Sequence, residues 1–235
     1  MVKIGNILYH NRNWLFPIFY IFLFIPSPQV FNHPTTAIII GIVIALVGQI
    51  IRIATIGLVY IIHGGKNRRV YAEDLITTGI FAHCRNPLYV GNILILVGLG
   101  IASNSLLFMA MITPLFLFIY QAIVRAEENF LSTKFGAGFD AYCKDVNRWI
   151  PSLQSLGDTL KSMKFKWNRV IIREYNATFI WILGATLVIA MHFYRNPPLY
   201  DFEGNKLIFI GVIIASAIIY LTARYLKKSG TITSD

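Results

Sequence analysis

The chain has 235 residues, of which 56% are hydrophobic and 14% are charged. Soluble domains carry about 25% charged residues, so this composition excludes an ordinary soluble domain and a disordered chain, and it predicts an integral membrane protein. Two cysteines are too few for a disulfide framework, and Cys84 and Cys143 are not spaced as zinc ligands. The net charge of +10 is expected to lie in cytoplasmic loops, so we predict no nucleic-acid partner.

Six apolar runs predict an all-α fold, a polytopic membrane helix bundle of about six transmembrane helices. In chain order they are Trp14–Phe31, Ala37–Ile62, Pro87–Ala102, Leu106–Val124, Ala177–Tyr194 and Leu207–Leu226. The third run is short and lies close to the fourth, so these two are expected to form a tight helical hairpin. No small-residue cleavage site follows the first run, which is therefore expected to remain in the mature protein.

The distribution of basic residues predicts the orientation of the bundle. With both termini cytoplasmic, nearly all lysines and arginines fall in cytoplasmic segments, as the positive-inside rule requires. The two long loops, His63–Asn86 and Arg125–Asn176, then face the cytoplasm. We expect the active face on that side of a bacterial inner membrane or an endoplasmic reticulum membrane. Arg52, inside the second run, is expected to reach out to the inner surface.

The segment Asp74–Gly91 holds the first chemically informative pattern. Asn86 and Pro87 are typical of an N-cap and a first helical position, which predicts that the third helix begins there. That structural interpretation leaves Arg85 and Tyr89 unexplained. A helix N-terminus with an arginine beside it can bind a carboxylate or a phosphate, so the segment is a candidate anion site.

The second pattern follows the fourth run directly. Phe130, Leu131 and Phe135 lie at helical spacing and predict an amphipathic helix. Adjacent residues on a helix point about 100° apart, so at least one of Glu127 and Glu128 should face the bundle. The alternative interpretation is that both glutamates are solvated at the membrane surface, as most glutamates are in proteins.

Together the two patterns resemble those of the isoprenylcysteine carboxyl methyltransferase and phospholipid methyltransferase superfamily, integral membrane enzymes that use S-adenosylmethionine. The likeness covers about residues 37–151. It rests on the segments Leu75–Phe81, Arg85–Gly91, Glu127-Glu128, Phe135-Gly136, Tyr142 and Val146–Pro151. The chain departs from the family pattern at Asn86, where many members have histidine, and at Phe81, where many have tyrosine. Asparagine cannot titrate near neutral pH, so a mechanism that needs an imidazole there is not expected.

The resemblance implies a pocket for S-adenosylmethionine on the cytoplasmic face, without a metal. The expected cofactor-binding residues are Leu75, Ile76, Phe81, Arg85, Asn86, Pro87, Leu88, Tyr89, Glu127 and Glu128. Glu127 suits the ammonium or the ribose hydroxyls of the cofactor, and Arg85 with the helix N-terminus suits its carboxylate. The aromatic faces of Phe81 and Tyr89 favour the cationic sulfonium, and Tyr71 is a further candidate for that contact.

The implied reaction is methyl transfer to a lipid or to another lipophilic or lipidated acceptor that arrives from the bilayer. The accepting group is a carboxylate or an amine. Arg125 and Glu127 are the predicted catalytic residues, and Arg125 or alternatively Arg148 would hold an anionic acceptor. Membrane lipids are the other expected partners.

The predicted organisation has four parts: a first transmembrane helix in residues 1–36, a methyltransferase-like membrane core in 37–151, a basic cytoplasmic linker in 152–176 and an appended transmembrane hairpin in 177–235. We expect no chemistry in the hairpin. Gly98 and Gly100 either bind the cofactor or pack helices, which is the commoner role of small residues in spans.

The sequence leaves two other functions open. One is an NADPH-dependent reductase of the sterol reductase type, and the other is a non-enzymatic membrane scaffold. A glutamate pair in the pocket opposes the first, because NADPH carries a 2′-phosphate that needs positive groups around it.

Overall fold

The computed structural model describes residues 1–59 and 72–233, and within these ranges the regular secondary structure is helical, apart from an isolated bridge between Gln29 and Ser105. The predicted all-α class is confirmed. The helices are α1 (Val2–Tyr20), α2 (Pro34–Leu58), α3 (Pro87–Ala102), α4 (Thr113–Phe135), α5 (Ala137–Asp145), α6 (Leu156–Ser162), α7 (Trp167–Arg195) and α8 (Phe202–Lys228). Short 3₁₀ helices occupy Ile21–Phe24 and Gly79–Ala82, and a π-helical turn, Phe108–Ile112, leads into α4.

Some of these segments are long and apolar enough to cross a membrane. In the described ranges they are the four helices Pro34–Leu58, Phe108–Phe135, Trp167–Arg195 and Phe202–Lys228. The shorter apolar helices Trp14–Phe24 and Pro87–Ala102 correspond to the first and third predicted runs. The chain is thus an integral membrane protein by these helices, whereas six full crossings and cytoplasmic termini stay predictions.

Helix α3 has the predicted bounds, because local signals determine its start. Pro87 occupies the first turn, where its missing N–H is not needed. Asn86 holds the N-cap position, but its side chain makes no capping hydrogen bond. It donates from Nδ2 to the carbonyl oxygen of Arg148 at 3.2 Å, so the predicted capping role of this side chain is wrong.

Helix α1 differs from the predicted run Trp14–Phe31 at both ends, since it spans Val2–Tyr20. Its polar first half is helical because it packs on α4. A Cβ on Gly5 would lie 2.0 Å from the carbonyl oxygen of Ala122, and Tyr9 is buried. Hydropathy alone does not detect this half, because another helix rather than lipid covers its apolar face.

Helices α4 and α7 extend beyond their predicted apolar runs into charged segments. The fourth segment continues past Val124 to Phe135, so α4 includes the predicted amphipathic helix and carries both glutamates of the second pattern. Gly136 follows it with φ of +53°, a conformation that favours glycine. Helix α7 begins at Trp167 rather than at Ala177, within the segment predicted to be a linker.

Helices α2 and α3 pack against each other most closely through small residues. A Cβ on Gly98 would lie 2.5 Å from the carbonyl oxygen of Gly41, and Gly100 faces the ring of Phe108. Neither Gly98 nor Gly100 lines the cavities described below. These contacts support the helix-packing interpretation of the glycine pair.

The apolar core lies between α1, α3, α4 and α7. Leu99, Phe116 and Val188 are completely or almost completely buried in it. Helix α8 packs mainly on α7 and exposes large aliphatic side chains such as Ile208 and Ile219. An exposed aliphatic surface of this kind is expected on a helix that faces lipid.

Candidate functional site

The two sequence patterns meet at one end of the bundle through backbone hydrogen bonds. The amide of Arg85 donates to the carbonyl of Asn147 at 3.0 Å, and the amide of Ser152 donates to the carbonyl of His83 at 2.9 Å. The hydroxyl of Tyr142 donates to the carbonyl of Phe81 at 2.7 Å. The segment after α5 is therefore fastened along the segment before α3, which brings residues far apart in the chain into one site.

An ion-pair cluster stabilises this junction. Arg148 binds Glu128 through two parallel hydrogen bonds, from Nε to Oε1 at 2.8 Å and from Nη2 to Oε2 at 2.6 Å. Arg85 adds its charge to the same carboxylate at 3.3 Å and also donates to the Sγ of Cys143. Because Glu128 occupies the guanidinium of Arg148, that arginine is not free to hold an anionic acceptor.

The thiols and the phenol around this cluster have altered proton affinities. Burial raises the pKa of the Cys84 thiol and that of the Tyr142 hydroxyl. Burial also raises the pKa of the Cys143 thiol, although the charge of Arg85 opposes the shift. These groups are therefore neutral at physiological pH.

Glu127 has a different environment from its neighbour. One of its oxygens, Oε1, accepts a hydrogen bond of 2.8 Å from the hydroxyl of Tyr89 on α3. The Glu127 side chain lines two cavities, whereas Glu128 lines one. The alternative that both glutamates are simply solvated at the surface is therefore wrong.

The smaller cavity, of about 290 Å³, lies between the segment before α3 and helices α4 and α5. Its wall is rich in acidic groups, with Arg85 as a basic member. The lining residues are Ala72, Glu73, Asp74, Leu75, Ile76, Phe81, Arg85, Asn86, Glu127, Glu128, Leu131, Phe139 and Tyr142. This chamber can accommodate a small polar molecule that carries positive charge.

The larger cavity, of about 650 Å³, lies between α1, α3, α4 and α7. Aromatic and aliphatic side chains dominate its wall, among them Phe16, Tyr20, Phe116, Tyr120 and Trp181. The two cavities share a wall that consists of Phe81, Arg85, Asn86, Glu127 and Leu131. A polar chamber thus adjoins an apolar chamber across a few side chains.

All ten predicted cofactor-binding residues line one of these chambers or both. Leu75, Ile76 and Glu128 line the smaller cavity alone, and Pro87, Leu88 and Tyr89 line the larger cavity alone. The remaining four, Phe81, Arg85, Asn86 and Glu127, lie in the shared wall. Tyr71 lies outside the described residues.

Arg125 is the predicted residue that the structure does not bring to the site. Its side chain is exposed, and it lines neither cavity. The physical reason is helical geometry: two positions along α4 from Glu127 correspond to a rotation of about 200°. The predicted catalytic role of Arg125 therefore has no geometric support.

Sequence reasoning missed a buried ion pair beside the larger cavity. Arg52 on α2 donates to Glu174 on α7 from Nε at 2.9 Å and from Nη2, and it also donates to Asn92 on α3. The Arg52 side chain is 12% exposed and that of Glu174 is 3% exposed. The expectation that Arg52 reaches the membrane surface is wrong, because a carboxylate neutralises its charge inside the bundle. The signal in the sequence was a basic residue, Arg52, and an acidic residue, Glu174, that each lie among apolar residues, because such charges inside a membrane protein usually pair.

Residues of α1 and α7 that line the larger cavity were also missed. They include Tyr9 and Arg12 on α1, and Asn176 and Ala177 on α7. The guanidinium of Arg12 lies 4.0 Å from the centre of the Tyr9 ring. Their sequence positions lie outside both motif segments, so spacing alone did not connect them with the site.

Comparison with known proteins gives a family match for the central part of the chain. Residues 35–138 match the model of the phospholipid methyltransferase family. The match covers less than half of the chain, so it shows a likeness of this segment to that family. The matched range holds α2, α3, α4 and both glutamates, and it confirms the resemblance found in the sequence.

Two curated bacterial proteins are also similar to the chain. The nickel-cobalt-cadmium resistance protein NccN of Alcaligenes xylosoxydans xylosoxydans is 33% identical over 119 residues, which are 50% of this chain and 54% of that protein. The cobalt-zinc-cadmium resistance protein CzcN of Cupriavidus metallidurans is 30% identical over 145 residues, 59% of this chain and 62% of that protein. The chain thus spans little more than half of the length of these relatives. No solved structure matches it.

Both relatives are named as metal resistance proteins, so groups of side chains that could bind a metal ion are of interest. Within residues 1–59 and 72–233, no group of three or more histidine, cysteine, aspartate or glutamate side chains is arranged to hold a metal ion. The acidic residues of the described site instead pair with arginine or line the two cavities.

Proposed function

We propose that this protein is an S-adenosylmethionine-dependent membrane methyltransferase that acts on a lipophilic acceptor from the bilayer. The observation that carries the proposal is the pair of adjoining cavities, one polar and one apolar, that share the wall containing Glu127. A water-soluble methyl donor and a lipid acceptor need this division, because each must reach the reaction from a different phase. The family of residues 35–138 supports the same reaction class.

The donor set of the smaller cavity fits the proposed cofactor. S-adenosylmethionine carries an ammonium, a cationic sulfonium, ribose hydroxyls and a carboxylate. Glu127 and the other acidic groups suit the first three, and the face of Phe81 suits the sulfonium. The first N–H groups of α3 suit the carboxylate from the other side of the shared wall, because Leu88 and Tyr89 line the larger cavity and not the smaller one. Arg85 contributes positive charge beside that helix end, although its Nη1 already contacts Glu128 and Cys143.

The larger cavity fits the chain and the reacting group of an acceptor. Its aromatic walls match a hydrocarbon chain, and its polar end near Glu127 and Tyr89 matches a headgroup. When bound, the cofactor would supply an electrophilic methyl group to the acceptor, and the electron pair of the broken carbon–sulfur bond would stay on sulfur. A carboxylate acceptor has no proton to lose, and an amine acceptor would pass its proton to Glu127. Positioning and exclusion of water would supply most of the acceleration.

The charge of the smaller cavity argues against the reductase alternative. Glu73, Asp74, Glu127 and Glu128 line it together with Arg85. A 2′-phosphate would meet net negative charge there, which is unfavourable at short range. The scaffold alternative predicts that loss of Glu127 has no effect on function.

Calorimetric titration of the purified protein in nanodiscs with S-adenosylmethionine tests the cofactor. We expect saturable binding that Glu127→Gln weakens by at least roughly tenfold, about 1.4 kcal/mol. Glu203→Gln is the matched control, because Glu203 is an exposed glutamate on α8. The absence of binding to the folded wild-type protein would overturn the proposal, and NADPH would be the next titrant.

Transfer of a labelled methyl group to lipid extracts tests the acceptor. The relatives are named for metal resistance, so the extracts should come from cells grown with and without cobalt or cadmium. Labelled product in the lipid phase, with the label lost in Glu127→Gln, supports a lipophilic acceptor. Label that appears only in the water-soluble fraction contradicts it.

A further inference from the structure

The appended helix α7 is bound to the methyltransferase-like core by a ladder of polar contacts along one of its faces. Glu174 pairs with Arg52, Thr178 accepts a hydrogen bond of 3.2 Å from Gln49, and Trp181 donates one of 2.8 Å to Gln49. Residues 174, 178 and 181 lie at i, i+4 and i+7, so they share one face of the helix. Buried polar groups of this kind define a single docking position, because any displacement leaves a charge unpaired.

The same docking position makes α7 a wall of the larger cavity. Asn176, Ala177, Ile180 and Trp181 all line it, next to the face that carries the ladder. Trp181 belongs to both faces, since its indole N–H reaches Gln49 while its ring borders the cavity. The hairpin was expected to carry no chemistry, yet one of its helices encloses the chamber proposed for the acceptor.

Exposed residues in its lining indicate that the larger cavity opens between α1 and α7. Across the described residues these two helices make few or no close approaches to each other, although both line the cavity. Pro17 on α1, and Asn176 and Ile180 on α7, line the cavity and are also exposed. They form a rim that faces outward from the bundle, which is where a lipid would enter.

We propose that α7, held by the Arg52–Glu174 pair, is the specificity wall of the enzyme: it borders the lateral entrance and determines which lipophilic chain the larger cavity admits. The occupant is the hydrocarbon part of a single-chain or similarly slender lipophile with a small polar head directed towards Glu127. This inference rests on the proposed function only for the identity of the occupant as methyl acceptor. Glu174 is a positioning residue, and Ile180 and Ala177 determine specificity.

The test uses photolabelling of the full chain in nanodiscs. The probes are a long-chain alkylamine with a diazirine on its chain and the matching carboxylate, each with and without an excess of the non-photoreactive analogue. Peptide mass spectrometry then locates the labelled residues. In the wild-type protein we expect labelling within residues 176–181 that the non-photoreactive analogue suppresses, called competed labelling below. The probe that labels more strongly, amine or carboxylate, identifies the preferred polar head.

Two substitutions on α7, at side chains of similar exposure, test whether this helix forms a wall of the larger cavity. Ile180 is 43% exposed and lines the cavity, whereas Leu187 on the same helix is 41% exposed and does not. We expect Ile180→Trp to reduce competed labelling by roughly tenfold, the discrimination that a misfit of one or two methylenes produces in an apolar pocket. Leu187→Trp should leave it unchanged. Equal labelling of the two variants would overturn the proposal.

Glu174→Gln tests the Arg52–Glu174 pair that holds α7. This variant should lose competed labelling but bind S-adenosylmethionine in the smaller cavity as the wild-type protein does. The cofactor titration also separates the two proposals. Cofactor binding without competed labelling at 176–181 overturns the role of α7 and leaves the methyltransferase standing. Competed labelling without cofactor binding supports α7 as the wall of a lipid chamber and overturns the methyltransferase.

Discussion

At the scale of single residues, adjacent glutamates on one helix have acquired different tasks. Glu128 is held by two arginines and connects the segment after α5 to the segment before α3. Glu127 accepts its hydrogen bond from Tyr89 and lines both cavities. The difference arises because neighbouring positions on a helix point about 100° apart, so one carboxylate meets the arginines and the other meets the site.

Tyr89 is predicted to orient Glu127 for the cofactor. Tyr89→Phe removes the hydrogen bond to the Glu127 carboxyl group, worth about 0.5–1.5 kcal/mol, so the affinity for S-adenosylmethionine should fall severalfold. Calorimetry in nanodiscs measures this loss. Tyr225→Phe, at an exposed position of α8, should bind the cofactor as the wild-type protein does. Unchanged affinity of Tyr89→Phe would show that the phenol does not act on the cofactor site.

The Cys143 thiol provides a prediction for the effect of pH. Since burial raises its pKa, the thiol stays protonated through neutral pH, and alkylation by iodoacetamide should accelerate only at a higher pH than for an exposed cysteine. Rates measured by mass spectrometry across pH give the two midpoints. The reference is Ser229→Cys in a background without Cys84 and Cys143, because Ser229 is exposed. A midpoint below that of the reference would mean that Arg85 outweighs burial.

At the scale of elements, close helix packing and polar docking shape the site more than hydropathy does. Helices α2 and α3 approach closely where Gly41 meets Gly98 and again where Gly48 meets Gly91, and the second contact lies about one turn from the α3 N-terminus beside the shared wall. Helix α7 starts earlier than its apolar run because Glu174 has a partner in Arg52. Glycines at the helix contacts and the Arg52–Glu174 ion pair are thus the features that position these helices.

Gly98→Ala tests the helix contact. Its Cβ would lie 2.5 Å from the carbonyl oxygen of Gly41, so α2 and α3 must separate, and we expect a loss of about 1–3 kcal/mol of stability. Denaturant or thermal unfolding in detergent measures it. Gly211→Ala on α8 is the control, because a Cβ there meets nothing within 4 Å and alanine favours a helix. Equal stability of the two variants would contradict the close contact.

At the scale of the whole molecule, a polar and an apolar chamber can serve a water-soluble donor and a lipid acceptor only if the protein has the predicted orientation, with both termini in the cytoplasm. The smaller cavity must then open towards the cytoplasm, where S-adenosylmethionine is made, and the rim of the larger cavity must face lipid. The apolar surface of α8 and the four candidate spans agree with a bundle surrounded by lipid.

The orientation can be measured by labelling cysteines from each side of intact cells or spheroplasts. In a background without native cysteines, Leu199→Cys should react with an impermeant maleimide directly, because Leu199 is exposed in the predicted outer turn between α7 and α8. Ser229→Cys should react only after permeabilisation. The reverse pattern would place the smaller cavity on the outer side and would contradict a cytosolic methyl donor.

The sequence by itself determined the membrane class, the helical fold, the bounds of α3 and the family resemblance of the central segment, because these depend on composition, apolar periodicity, local proline signals and motif residues. It also selected four residues of the shared wall, Phe81, Arg85, Asn86 and Glu127, but not Leu131, since motif positions are close in the chain to the helix ends that hold them. Only the tertiary structure decided that Glu127 faces the site while Arg125 does not, and that α1 and α7 complete the larger cavity. Burial of Arg52 with Glu174 joins residues more than a hundred positions apart, and neither charge alone indicates its partner.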